Sequence, residues 1–180
     1  MRPVESRPQP DEYAPYYAGY VARVPAGDLI AILNEGAEQT AALLAGLAEE
    51  RAGFRYGPGK WSIREVIGHI ADAERVFAYR MLRIGRGDIT PLAGFDENEY
   101  VAAAHFDARP LPDLLDELRA VRRATVTLLR GLDDDAWQRR GTANGLEVTV
   151  RALATICAGH EMHHREILRT RYLAEVSSTH

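Results

Sequence analysis

The chain has 180 residues, of which 46% are hydrophobic and 27% charged, the composition of one ordinary globular domain. Its formal net charge of −4 argues against the basic surface of a nucleic-acid-binding protein, and no apolar run predicts a membrane span. The single cysteine, Cys157, excludes an intrachain disulfide framework, and the N-terminus has no secretory pattern, so we expect a cytoplasmic protein.

The N-terminal region differs in composition from the rest. Residues 1–26 hold five of the nine prolines and four of the eight tyrosines, which predicts an extended arm rather than a long helix. The tyrosines either anchor this arm on the body or belong to a loose tail, and the sequence leaves both interpretations open. We place the main domain at residues 27–175.

Apolar residues at alternating spacings of three and four predict the first two long helices. The first covers residues 27–50. The second begins at Ser62, where Glu65 completes a capping box and Trp61 precedes the cap. It is predicted to end near Gly85, where glycines follow the last periodic residue.

A long connection and a third helix follow. Residues 88–110 contain a predicted short helix at 96–104, and a connection of this length is typical of a functional loop or lid. The third long helix starts after Pro110 and ends at Gly131.

The last part of the chain is predicted to contain a short helix at residues 133–137, a loop at 141–145 and a fourth long helix. Residues 147–150 have strand propensity, but we favour them as the entry to this helix, with Thr149 as N-cap. The fourth helix has one apolar seam, formed by Leu153, Cys157, His160, His164 and Ile167. Four long amphipathic helices predict an all-α fold, a four-helix bundle.

Two histidines interrupt the apolar seam of the fourth helix. His160 and His164 are one turn apart, so both imidazoles leave the same side, as in a two-histidine metal clamp. Buried imidazoles need partners for their nitrogens, and one divalent metal would serve both.

A third ligand is expected from another element, and His69, His105 and His180 are the candidates. His180 is the last residue, and His105 lies in the long connection. His69 is at the edge of the apolar face of the second helix, beside Gly68, which would let a neighbour approach closely. Three histidines leave one coordination position open, the arrangement of a catalytic metal site.

Other interpretations of these histidines stay open. His163 is a rival clamp partner, although the seam favours its neighbour and places His163 at the flank, and Cys157 is better explained by core packing. Without a metal, the histidines would be core residues satisfied by Asp72, Glu74, Glu161 or water.

Two segments of the chain resemble signatures of the DinB-like superfamily: Lys60–Arg75 on the second helix and Gly159–His164 on the fourth. The resemblance implies a four-helix bundle in up-down-down-up order and a metal held by His69, His160 and His164. It also implies a homodimer. Members of the family resemble either S-transferases and isomerases that use bacillithiol, mycothiol or glutathione, or metal-dependent hydrolases.

We therefore expect a metal-dependent enzyme, a hydrolase or a thiol S-transferase, acting on a small-molecule substrate that includes a low-molecular-weight thiol in the second case. Zn²⁺ is the expected metal, with Ni²⁺, Fe²⁺ and Mn²⁺ as alternatives, and it would activate water or the thiol. The alternatives are a non-catalytic, stress-related bundle that holds a metal or ligand, and a structural bundle without metal.

The sequence supports only weaker predictions for residues outside the three histidines. No general base is predicted, because the capping box explains Glu65. Asp72 could orient the ring of His69, which is less than one turn away. Four further residues could line or cover a pocket, although a solvated face is the simpler interpretation for the two arginines: Arg75, Arg80, Asp96 and Tyr100.

Overall fold

The computed structural model describes residues 7–174 and has a bundle of four long helices at its centre. The α-helices of this part of the chain are α1 (Ala18–Val21), α2 (Leu29–Leu43), α3 (Ile63–Gly85), α4 (Glu97–Ala104), α5 (Leu111–Arg130), α6 (Asp134–Gln138) and α7 (Val150–Ile167). Each of α2 and α3 packs against both α5 and α7, so α2 and α3 lie diagonally opposite. The predicted all-α four-helix bundle is confirmed.

Some sequence predictions fall outside the described residues: positions 1–6 of the arm, position 175 of the main domain and the candidate ligand His180. Within residues 7–174, no helix is both long and apolar enough to cross a lipid bilayer.

The described part of the N-terminal arm packs on the bundle. It forms two 3₁₀ turns, Pro10–Glu12 and Pro15–Tyr17, and then α1, which lies against α7. Glu12 is buried, and its carboxylate accepts hydrogen bonds from Thr149 Oγ1 at 2.8 Å and from Arg151 Nε at 3.1 Å. From residue 7 onward, the arm is therefore anchored rather than loose.

The predicted helix starts are confirmed by their caps. Ser62 Oγ accepts from the backbone N–H of Glu65 at 3.0 Å, and the Glu65 carboxylate accepts from the Ser62 N–H at 2.8 Å. At the start of α7, Thr149 Oγ1 accepts from the Ala152 N–H at 3.0 Å. Because these caps fix where α3 and α7 begin, they also fix the position of every later residue along each helix.

The first long helix is shorter than predicted. Helix α2 ends at Leu43 rather than at residue 50, because the chain turns through Gly46, whose φ is +78°. A separate 3₁₀ helix, Glu49–Gly53, follows. Leu47, which continues the apolar spacing of α2, lies in the connection between α2 and this 3₁₀ helix, so apolar spacing alone overextended the predicted helix.

Residues 140–149 form a β-hairpin, so the predicted loop at 141–145 and the predicted helix entry over 147–149 are wrong. Strands β1 (Arg140–Ala143) and β2 (Leu146–Thr149) pair antiparallel. Asn144 and Gly145 have φ values of 54° and 73°, the positive values of a type I′ turn, for which Asn-Gly is a strong signal. The strand propensity of 147–149 was therefore the better guide, and α7 starts at Val150.

All four bundle helices contribute to one buried polar network. Arg122 of α5 donates to both oxygens of Glu74 of α3, each at 2.8 Å, and to Oε2 of Glu161 of α7 at 2.7 Å. Thr40 of α2 donates to Oε1 of Glu161 at 2.7 Å. These four side chains tie the helices together in one specific arrangement, since each charge is buried and hydrogen-bonded.

Candidate metal centre

Three histidines from two adjacent helices converge in the bundle. His69 is two turns into α3, and His160 and His164 lie one turn apart on α7, which packs against α3. Their ring nitrogens lie within 4.8 Å of one another. The neighbour that approaches Gly68, next to His69, is Phe106, whose ring occupies the space that a Cβ would need.

The three rings direct Nε2 atoms toward one point. Nε2 of His160 lies 3.0 Å from Nε2 of His69 and 3.1 Å from Nε2 of His164. A neutral imidazole nitrogen has either one N–H or one lone pair, so His160 Nε2 cannot complete a good hydrogen bond to both neighbours. Tetrahedral Zn²⁺ with nitrogen ligands places them about 3.3 Å apart, so a small opening of this cluster would fit a metal.

The protonation state of the cluster suits metal binding. Burial lowers the pKa of His69 to about 4. Burial and the neighbouring histidines also hold the pKa values of His160 and His164 well below the usual range. All three rings are therefore neutral near pH 7, and a neutral imidazole is the form that donates a lone pair to a metal.

The carboxylates that could have satisfied these histidines without a metal have other partners. Glu74 and Glu161 both accept hydrogen bonds from Arg122. Asp72 accepts from Arg75 Nη1 at 3.1 Å near the surface, so the prediction that it orients His69 is wrong.

The other candidate ligands lie apart from the cluster. His105 is exposed at the C-terminal end of α4. His163 is half-buried at the flank and packs edge-to-face on Tyr20, with ring centroids 5.5 Å apart. Cys157 is buried in the apolar core, where burial raises the pKa of its thiol well above the usual range. Among the residues that the structure describes, only the three histidines form a group able to hold a metal.

A cavity of about 300 Å³ reaches the three histidines. Trp61 packs beside the cluster, with its ring centroid 4.6 Å from that of His69, and Tyr20 contacts His160 with a centroid distance of 5.6 Å. Most of the remaining wall is aromatic, with a few polar side chains. Its other residues are Tyr16, Tyr17, Ala73, Phe77, Arg80, Phe95, Glu97, Asn144 and His163.

The N-terminal arm reaches this cavity because Gly159 allows it. A Cβ at Gly159 would lie 2.1 Å from the carbonyl oxygen of Tyr20, so only glycine lets the arm pack this closely on α7. The tyrosine density of the arm was a signal for packing. No local pattern indicated that Tyr16, Tyr17 and Tyr20 would line the site.

The remaining predicted pocket residues divide into two groups. Arg80 lines the cavity, whereas Arg75 forms ion pairs with Asp72 and Glu117 away from it. Asp96 is the N-cap of α4, and Tyr100 packs on Phe95. The connection does reach the site, but through Phe95 and Glu97, which flank the predicted Asp96.

The sequence of residues 32–168 matches the DinB superfamily. The chain belongs to this superfamily. This confirms the resemblance seen in the segments that carry His69, His160 and His164.

Known proteins similar to this DinB-superfamily chain include a protein of Geobacillus thermodenitrificans whose name assigns it provisionally as a metal-dependent hydrolase. The two are 26% identical over 138 residues, which cover 75% of this chain and 77% of the relative. The structure is similar to YfiT from Bacillus subtilis, described as a probable metal-dependent hydrolase with an unusual four-helix bundle topology. That match has a TM-score of 0.71 and 19% identity and covers 78% of this chain and 84% of YfiT.

Two further solved structures share the fold. A mycothiol-dependent maleylpyruvate isomerase matches with a TM-score of 0.64 and 18% identity, over 77% of this chain and 58% of the isomerase. The DinB-like protein YjoA from Bacillus subtilis matches with a TM-score of 0.52 and 20% identity, over 89% of this chain and 90% of YjoA. At these identities the likeness is one of fold, and function has to be argued from the site.

Proposed function

We propose that this protein is a metal-dependent enzyme whose centre is formed by His69, His160 and His164. The observation that carries the proposal is the cavity of about 300 Å³ that is lined by all three histidines. A metal held only for structure or storage needs a closed ligand set, whereas a catalytic metal needs three protein ligands and an open position next to a substrate pocket.

The expected metal is Zn²⁺, since a tetrahedral site with histidine ligands suits it, with Ni²⁺, Fe²⁺ and Mn²⁺ as alternatives. When bound, the metal would lower the pKa of a water or thiol ligand and so supply hydroxide or thiolate near neutral pH. Trp61, Phe77 and Tyr20 pack against the histidine rings and form an aromatic wall around them.

Hydrolysis is the reaction that we favour, because the relative from Geobacillus thermodenitrificans and the structural neighbour YfiT are both described, provisionally, as metal-dependent hydrolases. Thiol S-transfer is the second candidate. It is favoured by the shared fold of a mycothiol-dependent isomerase. Because Glu74 and Glu161 are both paired with Arg122, neither is available as a general base, and in either reaction the metal would have to activate the nucleophile.

The first experiment tests metal binding. We expect one zinc per chain by elemental analysis of protein reconstituted with Zn²⁺, and loss of that zinc in the variants His160→Ala and His164→Ala. His163→Ala is the matched control, because His163 is the neighbouring residue on α7 but lies outside the cluster. Wild-type protein that takes up no metal after reconstitution would refute the proposal.

The second experiment tests catalysis. Zinc-loaded protein is assayed against ester and amide substrates, with and without cysteine, glutathione, mycothiol and bacillithiol. Turnover without thiol that is lost in His69→Ala supports the hydrolase, and turnover only with thiol supports the transferase. Stoichiometric zinc without turnover of any substrate would favour the non-catalytic, metal-holding bundle. The homodimer and the cytoplasmic location stay predictions, and light scattering of the purified protein tests the first.

A further inference from the structure

The bundle contains two buried arginines whose surroundings differ sharply. Arg122 is 2% exposed and Arg80 is 4% exposed. A buried guanidinium is costly unless its charge is paired and its N–H groups are hydrogen-bonded. Arg122 meets this requirement, because it contacts both Glu74 and Glu161.

Arg80 does not meet this requirement within the described residues. Its Nη2 donates one hydrogen bond, to the carbonyl oxygen of Ala93 at 2.7 Å. No carboxylate between residues 7 and 174 lies within ion-pair distance of it. Burial lowers the pKa of Arg80, but an arginine stays charged in proteins. The side chain therefore holds an unpaired positive charge with N–H groups to spare.

The position of Arg80 indicates what the charge is for. Arg80 lines the same cavity as the three histidines, on the same helix as His69. The hydrogen bond to Ala93 needs only a neutral donor, and the neighbouring wall residues Phe77 and Ala73 are apolar, so these contacts do not account for a full positive charge at this position. The hydrogen bond to Ala93 fixes one end of the guanidinium and leaves the planar fork able to bind two oxygens of one anionic group.

We infer that Arg80 is a substrate-binding residue and that the substrate of the proposed metal centre carries an anionic group, a carboxylate or a phosphate, which pairs with this guanidinium. The inference rests on the proposed function for the reaction of this substrate, whereas the anion-binding site at Arg80 does not depend on that function. The metal would act at the histidine end of the cavity, and Arg80 would hold the substrate by its charged group.

The cavity also limits the size and charge of this substrate. Its volume of about 300 Å³ equals roughly ten water molecules, which is enough for a small organic acid or phosphate. Glu97 is the only carboxylate among the described residues of the wall. It is exposed, whereas Arg80 is buried, so the interior of the cavity is positive where Arg80 lies.

Binding of small probes to zinc-loaded protein tests the inference. Isothermal titration calorimetry would compare benzoate, its neutral isostere benzamide, and inorganic phosphate. We expect benzoate or phosphate to bind at least tenfold more tightly than benzamide, and this preference to disappear in Arg80→Met. Benzoate and phosphate distinguish a carboxylate from a phosphate substrate. The matched control is Arg75→Met, which removes an arginine of the same helix outside the cavity and should leave the preference unchanged.

Two results would overturn the inference: wild-type protein that binds neither anion more tightly than benzamide, or Arg80→Met protein that keeps the wild-type preference. Because Arg80→Met could destabilise the bundle, its helical circular dichroism and zinc content are measured first. Arg80→Lys is the second variant. It keeps the charge but loses the fork, and we expect an intermediate preference. If neither variant folds, the comparison of benzoate with benzamide on the His160→Ala variant, which is expected to lack zinc, decides: a preference for benzoate that persists without the metal supports the Arg80 site, and its absence overturns the inference.

Failure of the inference can be told apart from failure of the proposed function. The same titrations on His160→Ala, which is expected to lack zinc, show whether anion binding depends on Arg80 or on the metal. Zinc binding and turnover without an Arg80-dependent preference would refute the anion-binding site but not the metal-dependent enzyme. An Arg80-dependent preference in a protein that takes up no metal would refute the metal-dependent enzyme but not the anion-binding site.

Discussion

Replacing Arg122 by methionine tests how strongly the protein is destabilised when the buried carboxylates of Glu74 and Glu161 lose their partner. The substitution keeps a long apolar stem but removes the guanidinium that bonds Glu74 and Glu161 at 2.7–2.8 Å. Both carboxyl side chains are no more than 2% exposed, so water cannot replace the lost donor without a change in packing. We expect the variant to be strongly destabilised.

The size of the effect follows from the contacts. Three charge-assisted hydrogen bonds to the carboxylates are lost, and each is worth about 1.5–3 kcal/mol. The sum is an upper limit, because the stranded carboxyl groups can take up protons instead of staying charged. Loss of one partner from a buried ion pair costs about 3–5 kcal/mol, and we expect Arg122→Met to fall in that range.

Urea unfolding followed by far-ultraviolet circular dichroism measures this loss. With a urea dependence of about 1–3 kcal/mol per molar, the midpoint should fall by roughly 2 M.

A matched variant separates a stranded charge from the network itself. The quadruple variant Thr40→Val, Glu74→Met, Arg122→Met and Glu161→Met replaces every member with an apolar side chain. Its stability should equal that of the wild type or exceed it by about 1–4 kcal/mol. The reasoning would be refuted if Arg122→Met lost less than about 1 kcal/mol, or if the quadruple variant lost as much as the single one.

Further predictions concern the N-terminal arm. Gly159→Ala should cost about 1–3 kcal/mol and make the arm more sensitive to proteases, since the new Cβ would lie 2.1 Å from the Tyr20 carbonyl oxygen. Gly19→Ala is its control, because nothing lies within 4 Å of its Cβ, and equal losses in the two would contradict the clash. Burial alone would raise the pKa of Glu12, but hydrogen bonds from Arg151 and other donors outweigh it and lower the pKa below its ordinary 4.5. Its stabilising effect is therefore present above pH 4.5 and lost at lower pH, so the melting temperatures of wild type and Glu12→Gln should converge on acidification, and a constant gap would refute this.

Local sequence patterns predicted the helices whose ends carry their own signals. The capping box of Ser62 and the cap of Thr149 fixed the starts of α3 and α7, and with them the rotation of His69 and His160 about their helices. The seam spacing, together with the likeness to a family signature, was enough to select the histidines that the structure brings together.

The same patterns failed where apolar spacing continued beyond the end of a helix and where a turn decided the pairing of two strands. The seam of α2 ran past the true end of the helix at Leu43. The hairpin at Arg140–Thr149 depends on the Asn144–Gly145 turn and on hydrogen bonds of Leu92 to Thr142 and Asn144, each 2.9 Å long, from a distant part of the chain. Hydrogen bonds to a distant segment cannot be predicted from the spacing of apolar residues within the hairpin itself.

By itself, the sequence determined the helical bundle and the histidine set, because helix caps, apolar periodicity and a one-turn spacing are properties of neighbouring residues. Only the tertiary structure decided which groups face the histidines. It paired Glu74 and Glu161 with Arg122 and left Arg80 without a carboxylate among the described residues. Charge pairing across a bundle depends on which helices are neighbours and on how far each helix is shifted along its axis relative to the others. Neither property can be predicted from a single segment of the chain.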